Sequence, residues 1–173
     1  MANIVDKYEV KEEKVQKFET GDFDDSYTDQ YSPAMLRSAW QMKPFFEDKA
    51  RDADGNLLVD KKQAFNKVGH ALHDLHPTFE SFAYSQVTKT LAAEVMGFKE
   101  PVLLQSMYIF KNPRIGGEIG AHKDSSFLTT KPLSCCGIWI ALDSATIENG
   151  CMWGVPGSHK NDPNFYLKLR YND

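Results

Sequence analysis

The sequence predicts an α+β domain, mainly β, and two observations lead there: helical apolar periodicity before residue 100, then β-forming runs separated by turn signals. Phe65, Val68, Ala71, Leu72 and Leu75 recur at three- and four-residue steps, which predicts a helix stopped by Pro77. Val87, Leu91, Ala92, Val95 and Met96 repeat the pattern, and Gly97 is a suitable C-terminal stop. Beyond Pro101, Val102 to Phe110 is rich in β-forming residues and reads as a buried strand. Cys135 to Leu142 reads as another, with Ile138, Ile140 and Leu142 on one face and Trp139 on the other, because strand side chains alternate. Asn149-Gly150 predicts a hairpin turn into a strand from Cys151 to Val155, ended by Pro156-Gly157. Helices first and short strands later suit a β-sandwich or barrel with helices beside it.

Upstream the signals are sparser. Met35 to Phe46 mixes aromatics with Pro44, which breaks any long helix. Asp52-Ala53-Asp54-Gly55-Asn56 invites a calcium-loop reading, but an EF-hand needs glycine at its sixth position and glutamate at its twelfth. Counted from Asp52 those positions are Leu57 and Gln63, so Asp54-Gly55 is read as a turn. No repeat, low-complexity tract or linker divides residues 1–173, which are read as one domain.

Composition narrows the function classes. A chain of 173 residues with 42% hydrophobic and 12% aromatic content can build one core, unlike a disordered chain. A net charge of −4 and a pI near 5.7, with no basic stripe, give no reason to expect a nucleic-acid partner. The acidic stretch from Asp6 to Asp29 is read as a solvated face. Three cysteines, with Cys135 and Cys136 adjacent and Cys151 apart, do not form a disulfide framework and are expected as reduced thiols. Lacking an apolar run near twenty residues and a signal-type h-region, the chain is expected to be cytosolic and not to span a membrane. Its last residues, Arg170 to Asp173, are not a peroxisomal tripeptide.

The sharpest local signal is His122-Lys123-Asp124. Residues two apart on an extended strand project to the same side, so an imidazole and a carboxylate can meet one metal ion. Completed by a second histidine from elsewhere, that pair is the facial triad of non-haem iron(II) oxygenases. Alone, the pattern arises by chance in many chains. His70 and His73, at i and i+3 on the predicted helix, could also share a metal, with His76 at its end. They lack the acidic partner of a His-Glu-x-x-His site and are read as helix-surface or packed histidines.

Context sharpens the His-x-Asp reading. Gln105 to Lys111 leads into Gly116-Gly117-Glu118, then His122 to Leu128, then Gly137 to Leu142, Glu148 to Trp153 and Pro156-Gly157-Ser158-His159. Upstream stand Phe45-Phe46-Glu47, Gly55 to Val59 and Asn66-Lys67-Val68-Gly69-His70-Ala71-Leu72-His73. From about Phe45 to His159 this ordered series resembles the phytanoyl-CoA dioxygenase family, in particular its domain-containing protein 1 branch.

The resemblance implies a double-stranded β-helix (jelly roll) core with N-terminal helices packed outside it. It implies an iron(II)- and 2-oxoglutarate-dependent dioxygenase, in which oxidative decarboxylation to succinate is coupled to hydroxylation of a small molecule by dioxygen. By carry-over His122 and Asp124 are two of the three iron ligands, and Lys67, Met107 and Trp139 line the 2-oxoglutarate site. Trp139, set on the strand face away from Ile138 and Ile140, agrees with that. The substrate, with lipid or acyl-type molecules among the candidates, and the oligomeric state are not readable.

Two parts of the pattern are missing. The family takes its second iron-binding histidine, and an arginine for the far carboxylate of 2-oxoglutarate, from strands after the Pro-Gly-Ser-His segment. Here fourteen residues follow His159, with no histidine among them, and Arg170 is left unassigned. His159 is read as a loop-closing residue and not a ligand, and residues 1–44 match only loosely. The chain is therefore expected to be a partial domain lacking the last strands, a fragment of a longer protein. The alternative is a non-catalytic relative kept as a binding module.

Overall fold

The computed structural model describes residues 2–7, 39–126, 128 and 130–160. Most of the acidic stretch up to Asp29, and Arg170, lie outside them. The described residues fall into two compact units, one up to Glu118 and one from Ile119 onward.

The first unit opens with α1 (Ala2–Lys7), whose Val5 is buried. Lys61 Nζ donates to the Asp6 carbonyl at 3.1 Å. An antiparallel sheet of three strands follows, in the order β1 (Met42–Phe46), β2 (Phe65–His70), β3 (Ser106–Ile109). Pro44 sits opposite Val68 in β1, which is an edge strand, the place where a residue without an N–H costs the ladder least.

β2 overturns the helix expected from Phe65 to Leu75. It is the central strand and buries every residue except Asn66, which is partly covered. A strand covered on both faces has no reason to alternate polar with apolar, and its apolar spacing here imitates a helical period. Only Leu72–Leu75 is helical, as the short α2. Pro77 does not merely stop that helix. It starts α3 (Pro77–Ala83), where a missing N–H is harmless, and the preceding His76 is extended as a residue before proline should be.

The second predicted helix is present. Ser85 caps α4 (Gln86–Thr90) by accepting from Thr88 N at 3.3 Å, the helix widens through Leu91–Val95, and Gly97 adopts φ +74°. β3 is shorter than the run Val102 to Phe110. β2 offers pairing to Ser106–Ile109 alone, and Val102, Leu103 and Leu104 are exposed. The Asp54-Gly55 turn forms as expected, with Asp52 Oδ1 accepting from Asp54 N at 3.0 Å and Asn56 N at 2.8 Å and Gly55 at φ +88°.

The core gathers Phe45, Ala64, Phe65, Val68, Ala71 and Leu72. Phe65 stacks on Phe46 with centroids 4.7 Å apart and tilts against Phe110 at 6.3 Å. Phe65→Ala is expected to destabilise the first unit by about 3–5 kcal/mol, read as a lower urea midpoint. A change below about 1 kcal/mol would mean that this ring is not the centre of the core.

The described residues of the second unit form turns and irregular backbone. Described segments are short 3₁₀ turns at Asp124–Ser126 and Ser158–Lys160, and a turn closed by Cys151 N donating to the Thr146 carbonyl at 2.9 Å. Asn149-Gly150 occupies that turn as predicted, with Gly150 at φ +84°. The strands expected at Cys135 to Leu142 and Cys151 to Val155 are not formed among the described residues. β-forming side chains need a ladder partner, and none of the described strands pairs with either segment. Ile138, Trp139, Ile140 and Leu142 are all exposed, so the two-faced arrangement is absent. Cys135, Cys136 and Cys151 are free thiols, as read from their spacing. The class is thus α+β with a small antiparallel sheet.

Candidate functional site

In the second unit His122 and Asp124 come together. The ring nitrogen Nδ1 of His122 lies 2.8 Å from the Gly120 carbonyl, a pure acceptor, so Nδ1–H donates to it and Nε2 is the nitrogen turned to Asp124. Nε2 is 3.4 Å from Asp124 Oδ1. The expected strand is absent. The approach is made by a turn, in which Ser126 donates to the Lys123 carbonyl from both its N–H (3.0 Å) and its hydroxyl (2.7 Å), and Leu128 N donates to the Asp124 carbonyl at 2.8 Å. Ser126 is 3% exposed and anchors the turn, while both site side chains are partly open to solvent.

This pair fits two neighbouring corners of a metal's coordination shell. Donors about 2.1 Å from an ion and at right angles to each other are about 3 Å apart, close to the separation seen. A backbone carbonyl holding the far nitrogen is the usual support for a metal-binding histidine. Among the described residues, no three His, Cys, Asp or Glu side chains form a metal-holding group. His159, exposed on the Ser158–Lys160 turn, does not join the pair.

The segment 135–137 also borders Asp124. A Cβ built on Gly137 would lie 3.9 Å from Asp124 Oδ2, and the Cys135 thiol is pushed up, by burial first and by the charge of Asp124 second. Trp139, two residues on, is half exposed in irregular backbone.

Lys67 and Met107 stand in the first unit. Lys67 pairs with Ile109 and Gly69 with Met107, and residues opposite or two apart in a ladder share a face, so Lys67 and Met107 lie diagonally on one face of the sheet. A Cβ on Gly69 would come within 3.3 Å of Met107 Cγ, so glycine there lets the methionine lie against the strand. Lys67 is only 8% exposed, and burial pulls its ammonium down from 10.5 to about 8, against a smaller upward pull from Glu47.

Glu47 escaped the sequence reading. It is 3% exposed, and Oε2 accepts from Gly117 N at 2.9 Å. The available clue was a charged residue directly after the apolar Phe45-Phe46, one that must find partners if buried.

The other histidines divide. His70 lies buried in β2 rather than on a helix, which removes the i, i+3 metal pairing. His73 is packed in α2, its N–H donating to Ser106 Oγ at 3.0 Å and its Nδ1 lying 2.8 Å from the same hydroxyl. Tyr84 donates to Asp74 at 3.0 Å beside it, so His73 belongs to a structural network.

A profile of the family described as Phytanoyl-CoA dioxygenase (PhyH) matches residues 25–172, a span that includes Lys67, Met107, His122, Asp124 and Trp139. A protein of Arabidopsis thaliana named phytanoyl-CoA dioxygenase is 51% identical over 134 residues, covering 78% of this chain and 46% of its own length. A phytanoyl-CoA dioxygenase domain-containing protein 1 homolog of Caenorhabditis elegans is 43% identical over 162 residues, covering 93% and 55%. Phytanoyl-CoA dioxygenase domain-containing protein 1 of Bos taurus is 48% identical over 125 residues, covering 72% and 43%. The chain spans about half the length of these relatives.

Proposed function

This chain belongs to the phytanoyl-CoA dioxygenase family, and from that premise we propose that it contributes to the active site of an iron(II)- and 2-oxoglutarate-dependent dioxygenase acting on a small molecule. The single observation that supports this most is the approach of His122 Nε2 to Asp124 Oδ1 with Nδ1 already held by the Gly120 carbonyl. Our reading includes a jelly-roll fold, to which residues 1–173 contribute one partial domain, and a cytosolic location.

Iron(II) and 2-oxoglutarate, when bound, supply the oxidising chemistry, in which decarboxylation to succinate is coupled to hydroxylation of a substrate C–H bond. His122 presents a neutral imidazole and Asp124 a carboxylate, so the pair brings one negative charge to a divalent ion. Gly120 and Ser126 hold those two donors in place, which spares reorganisation on metal binding. Lys67 offers an ammonium for a cosubstrate carboxylate, strongest where water is excluded. Met107 and Trp139 contribute apolar surface against the cosubstrate and exclude water from it. No described residue is assigned as the third ligand or as the arginine for the far carboxylate.

Incubating the protein with iron(II), ascorbate and 2-oxoglutarate is expected to yield succinate, stimulated by the true substrate. Absence of succinate under every substrate tried, together with no binding of 2-oxoglutarate, would refute the proposal.

A further inference from the structure

We infer that Gly69 determines which keto acid the cosubstrate face accepts, because its bare backbone seats the Met107 side chain low on the sheet. Gly69 in β2 pairs directly with Met107 in β3, and Lys67, two residues before Gly69, lies on the same face. A Cβ at position 69 would come within 3.3 Å of Met107 Cγ and 4.0 Å of its Sδ, so the thioether chain lies across the glycine. The backbone of Gly69 is not in the left-handed region where Gly55 and Gly97 sit, so its conformation does not call for glycine. A glycine inside a central strand weakens that strand and marks a close approach, and here the approach is the methionine's.

An alanine at 69 would need the neighbour to give by a few tenths of an ångström, and the backbone is poorly placed to supply it. β2 is the buried central strand. The backbone of Met107 is pinned one residue upstream, where Ser106 Oγ accepts from His73 N–H at 3.0 Å and lies 2.8 Å from His73 Nδ1. The side chain must yield. Met107 is 38% exposed, unbranched and flexible, so it can rise off the sheet. Rising takes it into the space beside Lys67, which costs a longer keto diacid more than a shorter one. The seating of Met107 on Gly69 stands on the geometry; its consequence for the keto acid rests on the function proposed above.

The test compares wild type, Gly69→Ala, Met107→Ala and the double variant by calorimetry with 2-oxoglutarate and with oxaloacetate, which is shorter by a methylene. Gly69→Ala should weaken 2-oxoglutarate about tenfold and oxaloacetate by at most about twofold, the scale on which a tight site feels a methylene. In the Met107→Ala background the same change should cost nothing further, since no thioether remains to be displaced, a result that a merely structural glycine would not give. The Met107 methyl signal in NMR, assigned by its loss in Met107→Ala, should move in Gly69→Ala. Should Gly69→Ala fold poorly, recovery of its fold in the double variant reads the same contact, and failure to recover would overturn the inference. Equal losses for the two diacids, equal cost of Gly69→Ala in both backgrounds, or an unmoved methyl signal would also overturn it. A moved methyl signal in a protein whose wild type binds neither keto acid would uphold the seating and overturn the cosubstrate reading instead.

Discussion

His122→Ala should reduce succinate formation by at least about a hundredfold, because it removes the one described imidazole that faces Asp124. The side chain is partly open to solvent, so the variant should fold like the wild type. Loss of activity with retained circular dichroism therefore isolates the metal. Asp124→Ala should behave alike, with one added consequence. Cys135, held up in part by the Asp124 charge, should titrate lower, which a thiol-alkylation rate against pH would read as faster reaction at neutral pH. Equal succinate from His122→Ala and wild type would remove His122 from the chemistry.

Replacing Lys67 is expected to act on both cosubstrate and stability. Losing a charge-assisted contact to a carboxylate should weaken 2-oxoglutarate binding by about 10–100-fold, seen as a raised KM with a smaller change in kcat. For stability the sign depends on pH. Folded Lys67 titrates near about 8 and an unfolded lysine at 10.5, so between those values the unfolded chain holds more protons. Wild-type stability should accordingly rise as pH climbs from about 8 to 10.5, by up to about 3 kcal/mol at this site. Lys67→Met lacks that rise. Urea midpoints of wild type and Lys67→Met at pH 7 and pH 9.5 check this. Parallel pH profiles for wild type and Lys67→Met would contradict it.

What the sequence made legible was local. Gly97, Asp54-Gly55 and Asn149-Gly150 each report their own backbone, and each turn or cap formed where it was expected. β2 was not legible, because its burial comes from β1 and β3, which are distant in sequence on either side, and double-sided burial erases the alternation that identifies strands. Lys67 was hidden for the same reason. Hydropathy counts a lysine as solvent-facing, and only the fold shows that Lys67 is buried in the central strand. At Cys135 to Leu142 propensity was read as structure, although a strand exists only with a partner. His122 and Asp124 meet as anticipated but by a turn that Ser126 pins, so the right proximity came from the wrong geometry. The resemblance in ordered blocks supplied what spacing could not, and the family match agrees with it.

The most direct test of the shared metal site is an electron paramagnetic resonance titration with Mn(II), an ion suited to the same imidazole and carboxylate donors, in the presence of 2-oxoglutarate. Wild-type protein should quench the free-ion signal with one-to-one stoichiometry, weakly if only two side chains hold the ion. His122→Ala and Asp124→Ala should each leave that signal intact. Quenching that persists in both variants, or that never occurs in the wild type, would contradict the account.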